Sequence, residues 1–372
     1  MPNQAERHFN NIDFLRLALA LTVVFSHCFL LLDGSNDAEP LMRLTRGQVT
    51  FGDIAVDAFF ILSGYLITAS YQRSSSVLSF LKKRVARIYP AFVAVTLVTV
   101  FCFVPLGGGQ VEGQTLLGKT GLVLANVVRL RDVRASGTFA HNPLPYIVNT
   151  ALWTVSYEFL CYLGVLALGL TGALRRRRLI VGLLCVSIVV SVLYAHFGWQ
   201  GSKSLLTVLF GYPEKWARLT PMYLVGVAFY LYRNSIRLCH WGAILSLIAI
   251  SIACVIPCGF ALLFAVSGAY LLMYFAFWQR LSLHRLTSFG DLSYGTYLFA
   301  MPIQQLTIQH LGLRQSPWKL FVLATPIVLA VAAMSWFWIE KPALRLGKRS
   351  SRSEAKQGYQ IPPTLPFPIT ET

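Results

Sequence analysis

Arg16 and His27 stand eleven residues apart in one apolar run. At 100° per residue this spacing brings both side chains to one helix face, separated by roughly 16 Å along the axis. A guanidinium binds anions, and an imidazole exchanges protons near neutral pH. Asp57 lies near the start of a second apolar run, and Glu158 in the run Trp153-Thr154-Val155-Ser156-Tyr157-Glu158. A carboxylate beside a histidine fixes its tautomer and raises its basicity, as a general base requires. His27, Asp57 and Glu158 are therefore expected in one depth band, with a structural ion pair between helices as the alternative. Lys82-Lys83-Arg84-Val85-Ala86-Arg87-Ile88-Tyr89-Pro90 adds a third group. Arg84 and Arg87, three residues apart, share a helix face and suit a phosphate, or else simply anchor the chain at an inner surface. Ser63-Gly64 reads as a site of close helix approach in preference to a catalytic serine.

Ionisable groups inside an apolar span cost roughly 2.5–3.5 kcal/mol on insertion scales, which marks each as a functional candidate. The composition requires such spans. Of the 372 residues, 55% are hydrophobic and only 13% charged. A soluble globule cannot cover its surface with so few charges. Seven dispersed cysteines exclude a disulfide scaffold, and Cys254 and Cys258 read as two thiols. There is no P-loop, GxGxxG, HExxH or CxxC motif, so neither a nucleotide-binding loop nor a metal site is expected. The net charge of +17 does not point to nucleic acid, because the bases sit between apolar runs.

The expected fold is an all-α polytopic bundle of ten spans: 11–32, 53–72, 88–106, 147–171, 178–197, 218–233, 240–257, 259–279, 290–311 and 317–340. With the N-terminus in the cytoplasm, 21 of the 32 bases fall inside, leaving net charges of +15 inside and +2 outside. That bias sets the orientation, with both termini cytoplasmic. Arg175–Arg178 reads as a positive stop between spans, with anionic lipid binding as the sharper reading. Residues 1–346 form the membrane domain, and 347–372 a polar, disordered cytoplasmic tail.

Six ordered motifs resemble the acyltransferase-3 family of integral membrane acyltransferases over roughly residues 10–346. They are Asn11 to Arg16 continuing to His27, Val56 to Ile67, Lys83 to Pro90, Leu152 to Glu158, Ser293 to Leu298, and Trp338 to Pro342. Thr154 replaces the commoner serine. Phe299-Ala300-Met301-Pro302 stands where a His-Pro pair is frequent, and no periplasmic esterase domain follows the last span. The resemblance implies transfer of an acyl group, usually acetyl, from cytoplasmic acyl-CoA to a hydroxyl of a surface polysaccharide or lipid-linked glycan. It also implies residence in a bacterial inner membrane among lipid, with any further periplasmic partner acting in trans. Acyl-CoA is then the co-substrate, docking its phosphates at Arg84, Arg87 and Arg16, with the thioester near His27. His27 acts as general base or as acyl carrier, supported by Glu158 and Asp57. A transporter or a glycan flippase is the competing reading. A transporter should show an inverted repeat or paired broken helices, and neither is visible in the sequence.

Overall fold

The computed structural model describes residues 11–111, 115–278, 283–287, 289–314 and 316–347. The polar tail expected over 347–372 lies outside the described residues apart from Gly347, as do Arg7 and Arg280. The chain is helical almost throughout: α1 (Ile12–Asp33), α2 (Pro40–Leu44), α3 (Phe51–Gln72), α4 (Val77–Val98), α5 (Val104–Leu106), α6 (Leu116–Arg129), α7 (Trp153–Leu170), α8 (Arg177–Phe197), α9 (Leu205–Phe210), α10 (Pro213–Leu231), α11 (His240–Val255), α12 (Ala265–Phe277), α13 (Ser293–Leu311) and α14 (Pro317–Ser335). Two short strands, β1 (Gln110–Val111) and β2 (Ala135–Ser136), pair antiparallel within the long segment between α4 and α7.

The helix ends follow local chemistry. Thr50 caps α3 by accepting the Asp53 N–H at 2.9 Å, while Asp53 accepts the Thr50 N–H at 3.0 Å, a reciprocal box that satisfies two orphan donors. Gly34 closes α1 in the left-handed conformation, at φ +71°, and its N–H reaches the Leu30 carbonyl.

All ten apolar segments fall on helices, but they are not equally apolar. Among the described residues seven helical stretches are long and apolar enough to cross a membrane: α1, α3, Val77–Leu106, Thr150–Leu170, α8, Phe260–Phe277 and Pro317–Gly347. α11 is shorter, at 16 residues. α10 opens with Glu214, Lys215 and Arg218, and α13 carries Gln304, Gln305, Gln309 and His310. Most of both helices is buried inside the bundle, where Gln304 meets α1 and Gln305 meets the segment before α7, while Gln309 and His310 at the end of α13 are exposed. The outer ring is different. α8, α11 and α14 turn Val186, Leu245 and Val322 outward, each more than 60% exposed, as lipid-facing helices do.

The centre is built on α1, α3, α10 and α13. α1 packs against α3, α13 and α14, and α3 packs against α10. The α3–α10 contact is backbone on backbone. A Cβ on Gly64 would lie 2.1 Å from the Tyr223 carbonyl oxygen, and one on Gly226 would lie 2.1 Å from that of Ile61. Two glycines thus let two helices approach more closely than side chains permit. Gly64 plays the close-approach role expected of the Ser63-Gly64 pair, whereas Ser63 faces a cavity. Cys254 and Cys258 are free thiols.

Candidate active site

Two large cavities enter the bundle from opposite ends of α3. The first, about 340 Å³, is lined by the end carrying Ser63, Leu66 and Ile67. The second, about 550 Å³, is lined by the end carrying Asp53 and Asp57. Fourteen residues at 1.5 Å each separate Asp53 from Ile67 by about 21 Å.

The first cavity gathers four of the residues singled out from sequence: Arg16, Arg84, Arg87 and Glu158. Lys83 completes the basic wall. Arg16 and Arg87 are not loose charges. Each donates to Asp291 Oδ2, at 2.6 and 2.7 Å. Asp291 is held in turn by the hydroxyl and N–H of Ser293. Arg87 also lies 3.8 Å from the buried Glu340 carboxylate, which accepts the Ser335 hydroxyl at 3.0 Å. One carboxylate between two guanidinium groups ties α1, α4 and the start of α13 together. Arg84 is held differently. It packs between the rings of Phe80 and Tyr162, 5.8 and 5.6 Å from their centroids, and donates to Ser70 Oγ at 3.2 Å. Among the described residues no carboxylate pairs with it, so its charge is directed at the cavity.

A narrow extension of about 50 Å³ continues this cavity inward, past Phe59, Ser63 and Glu158 to Val56, Thr154 and Tyr297. Tyr297 donates to the Ala151 carbonyl at 2.7 Å, and its hydroxyl lies 2.7 Å from Thr154 Oγ1. Thr154 fills the place of the commoner serine with the same hydrogen-bonding group. Ser63 Oγ is buried on this passage with no hydrogen-bond partner.

The three groups expected in one depth band are divided. Glu158 accepts the Tyr162 hydroxyl and faces the arginine cavity. Asp57 pairs with Arg218 at 3.0 Å and faces the second cavity. Neither carboxylate is paired with His27; spacing along a helix sets height but not the neighbour across the bundle. His27 Nδ1 is buried without a hydrogen-bond partner, and the carboxylate whose field reaches it is Asp53. The site lacks the His-Pro pair, and Gln304 of α13 occupies the space beside α1. It donates to the Val24 carbonyl at 2.8 Å and to Cys28 Sγ at 3.0 Å, fixing the rotation of the turn that carries His27. On the opposite side, Ser26 donates to buried Glu39 at 2.7 Å, and Glu39 also accepts the Phe51 N–H at 2.7 Å. This clamps α1 to the start of α3. Burial raises the Glu39 carboxyl above its ordinary value, against the hydrogen bonds from Ser26, Phe51 and Met42.

Asp291, Arg218, Asp53 and Gln304 were not read from sequence as site residues. A signal existed for one pair: Asp53 and Asp57 are four residues apart and share a helix face. Among the described residues no group of three or more histidine, cysteine or acidic side chains is arranged to hold a metal ion.

An all-α membrane bundle with a basic cavity that narrows toward its interior defines a class: multi-pass membrane proteins with a cation-lined cavity among their helices. A model of the acyltransferase-3 family, described as an acyltransferase domain, matches residues 9–337. The chain belongs to that family and is an acyltransferase. It is 29% identical over 370 residues to nodulation protein 10 of Rhizobium leguminosarum bv. viciae, covering 91% of this chain and 94% of that one. It is 28% identical over 351 residues to the O-acetyl transferase of Shigella phage Sf6, covering 89% and 95%. A shorter match, 32% over 117 residues, links it to the acyltransferase MdmB of Streptomyces mycarofaciens, covering 31% of this chain and 27% of that one. No solved structure matches it.

Proposed function

We propose that the protein is an O-acetyltransferase of the bacterial inner membrane, moving an acetyl group from cytoplasmic acetyl-CoA to a sugar hydroxyl of a surface polysaccharide or lipid-linked glycan. The observation that carries this reading is the arginine cavity. Its lining has four cations, Arg16, Lys83, Arg84 and Arg87, against one carboxylate, Glu158, and it narrows into a passage. A polyanionic head with a thin flexible arm matches that shape. The CoA phosphates dock at Arg84 and Lys83, and on the forks of Arg16 and Arg87 that Asp291 orients. The arm follows Ser63, Thr154 and Tyr297 inward, with the unpartnered Ser63 hydroxyl available to one of its amides.

The acceptor hydroxyl arrives from the opposite end. Its oxygen attacks the thioester carbonyl, the C–S bond breaks, and the acetyl group leaves as an ester of the sugar. His27 takes the hydroxyl proton and returns it to the departing CoA thiolate. The O-acetyl transferase of phage Sf6 supports the choice of acetyl and of an oxygen acceptor. The bias of arginine and lysine toward the Arg84 end supports a cytoplasmic donor side.

The test is thiol release from acetyl-CoA by purified protein in proteoliposomes, with and without the delipidated surface polysaccharide of the host. The expected result is free CoA that depends on the polysaccharide, with acetyl ester found on the glycan by mass spectrometry. Polysaccharide crossing the bilayer with no thiol released would replace this reading with a flippase.

A further inference from the structure

The second cavity carries no role so far. Its walls come from the segment before α3, the start of α3, the end of α8, the start of α10 and the turn before Phe260. Its charged lining is balanced: Arg46, Lys215 and Arg218 against Asp53, Asp57 and Glu214. Two of these three cations are engaged, while the third, Arg46, is exposed. Arg218 donates Nε to Asp57 Oδ1 at 3.0 Å, Nη2 to the Asp53 carbonyl at 2.6 Å and Nη1 to the Asp53 carboxylate. With all three nitrogens in use, it offers no open fork to a phosphate or a carboxylate. The Lys215 ammonium lies 4.8 Å from the centroid of the Trp153 ring. The Asp57 side chain lines the cavity, is only 5% exposed, and is engaged by Arg218 through Oδ1, which leaves Oδ2 outside that ion pair. The rest of the wall includes apolar Met222, Pro257 and Phe260 with the Tyr194 phenol.

Saturated guanidinium, an open carboxylate oxygen and apolar ring faces suit a ligand with hydroxyl donors, C–H faces and no charge. The volume lies within the ~300–1,000 Å³ of small-ligand sites. The position fits too: Val56 lines the inner end of the donor passage, and Asp57, the next residue, lines this cavity. We infer that this cavity is the acceptor site and that it takes a neutral saccharide, with Asp57 Oδ2 accepting a sugar hydroxyl and Arg218 positioning Asp57. The inference rests on the acyl-transfer reading above but is tested without turnover.

Cys258 lines the cavity and serves as the reporter; Cys239, outside its lining, serves as the reference. The full chain in nanodiscs is treated with N-ethylmaleimide, and modification of each cysteine is followed by peptide mass spectrometry. Maltotriose should slow modification of Cys258 severalfold and leave Cys239 unchanged, while tri-galacturonate should protect neither. In Asp57→Asn, the maltotriose concentration needed should rise roughly tenfold or more, the loss expected when a hydroxyl's bond to a charged acceptor is removed. Ala195→Trp, at an exposed position on the rim, keeps every charge and should also abolish protection. Protection by tri-galacturonate alone overturns the neutral class. Absence of protection by either sugar, or full protection in both variants, overturns the site. Failure of acetyl-CoA to bind at the arginine cavity would instead strike the donor reading and leave this result standing.

Discussion

The two ends of the bundle solve the burial of charge with opposite ratios. At the arginine cavity one aspartate, Asp291, serves two guanidinium groups, and Arg84 keeps its charge without an acidic partner. At the other end one guanidinium, Arg218, serves two aspartates. The first arrangement leaves a net positive wall that gains from an anionic ligand. The second lies in a cavity whose three basic and three acidic side chains balance, so an anion gains nothing there. On the proposed reading, the same residue types, arginine and aspartate, serve a donor site for a polyanion at one end and an acceptor site for an uncharged sugar at the other. What separates the sites is stoichiometry, with desolvated charges held in place by hydrogen bonds in both.

His27 is the sharpest point at which this comparison can be broken, because the proposed chemistry joins the two ends there. His27→Ala should lower acetyl transfer about 10²- to 10⁴-fold with acetyl-CoA binding retained, the usual cost of losing a general base. His27→Gln should not restore it. Near-normal turnover of the glutamine variant, assayed by CoA release and glycan acetylation in detergent, would reduce His27 to a packing residue.

Removing the shared partner at each end comes next. Asp291→Asn leaves Arg16 without its carboxylate and Arg87 with Glu340 alone, and Arg218→Met leaves Asp53 and Asp57 without their cation. Each should cost about 3–5 kcal/mol of stability, the range for breaking a buried pair. The contrast lies in rescue. CoA should restore much of the thermal stability of Asp291→Asn, because its phosphates can stand in for the lost carboxylate, and none of that of Arg218→Met. Equal rescue of both would erase the distinction between the ends.

The smallest effect is expected at Glu158. It accepts the Tyr162 hydroxyl and lines the arginine cavity, so Glu158→Gln removes one negative charge from a positive wall. Acetyl-CoA binding should tighten by about 0.5–1 kcal/mol, the scale of a partly solvated charge interaction. The pH profile of turnover should stay in place. A shifted profile would show that Glu158 acts on the base after all.

Much of this was legible in sequence because a membrane makes it so. Apolar run length marked the long bundle helices, though not α2, α6 or α9, and the bias of bases along the chain placed Arg16, Arg84 and Arg87 at one end, where the structure gathers them around one cavity. The cost of buried charge drew attention to Asp57 and Glu158. Their partners were not legible. Arg218 sits at the start of a helix whose opening residues, Glu214 and Lys215, look like an aqueous loop, and only the glycine-to-glycine packing of α3 on α10 brings it over Asp57. Asp291 resembles an ordinary loop charge until α13 is set against α1 and α4. Sequence gives the height of a side chain in the bilayer; which helix faces it depends on rotations that long-range packing alone decides.

The account stands or falls on whether the arginine cavity holds the donor. Steady-state kinetics of Arg84→Ala, with acetyl-CoA and glycan varied in turn, test this most directly. Losing one charge-assisted contact of about 1.5–3 kcal/mol should raise the KM for acetyl-CoA about 10- to 100-fold. The KM for the glycan should not change. An unchanged KM for acetyl-CoA, or a rise confined to the glycan, would contradict the assignment of the two ends.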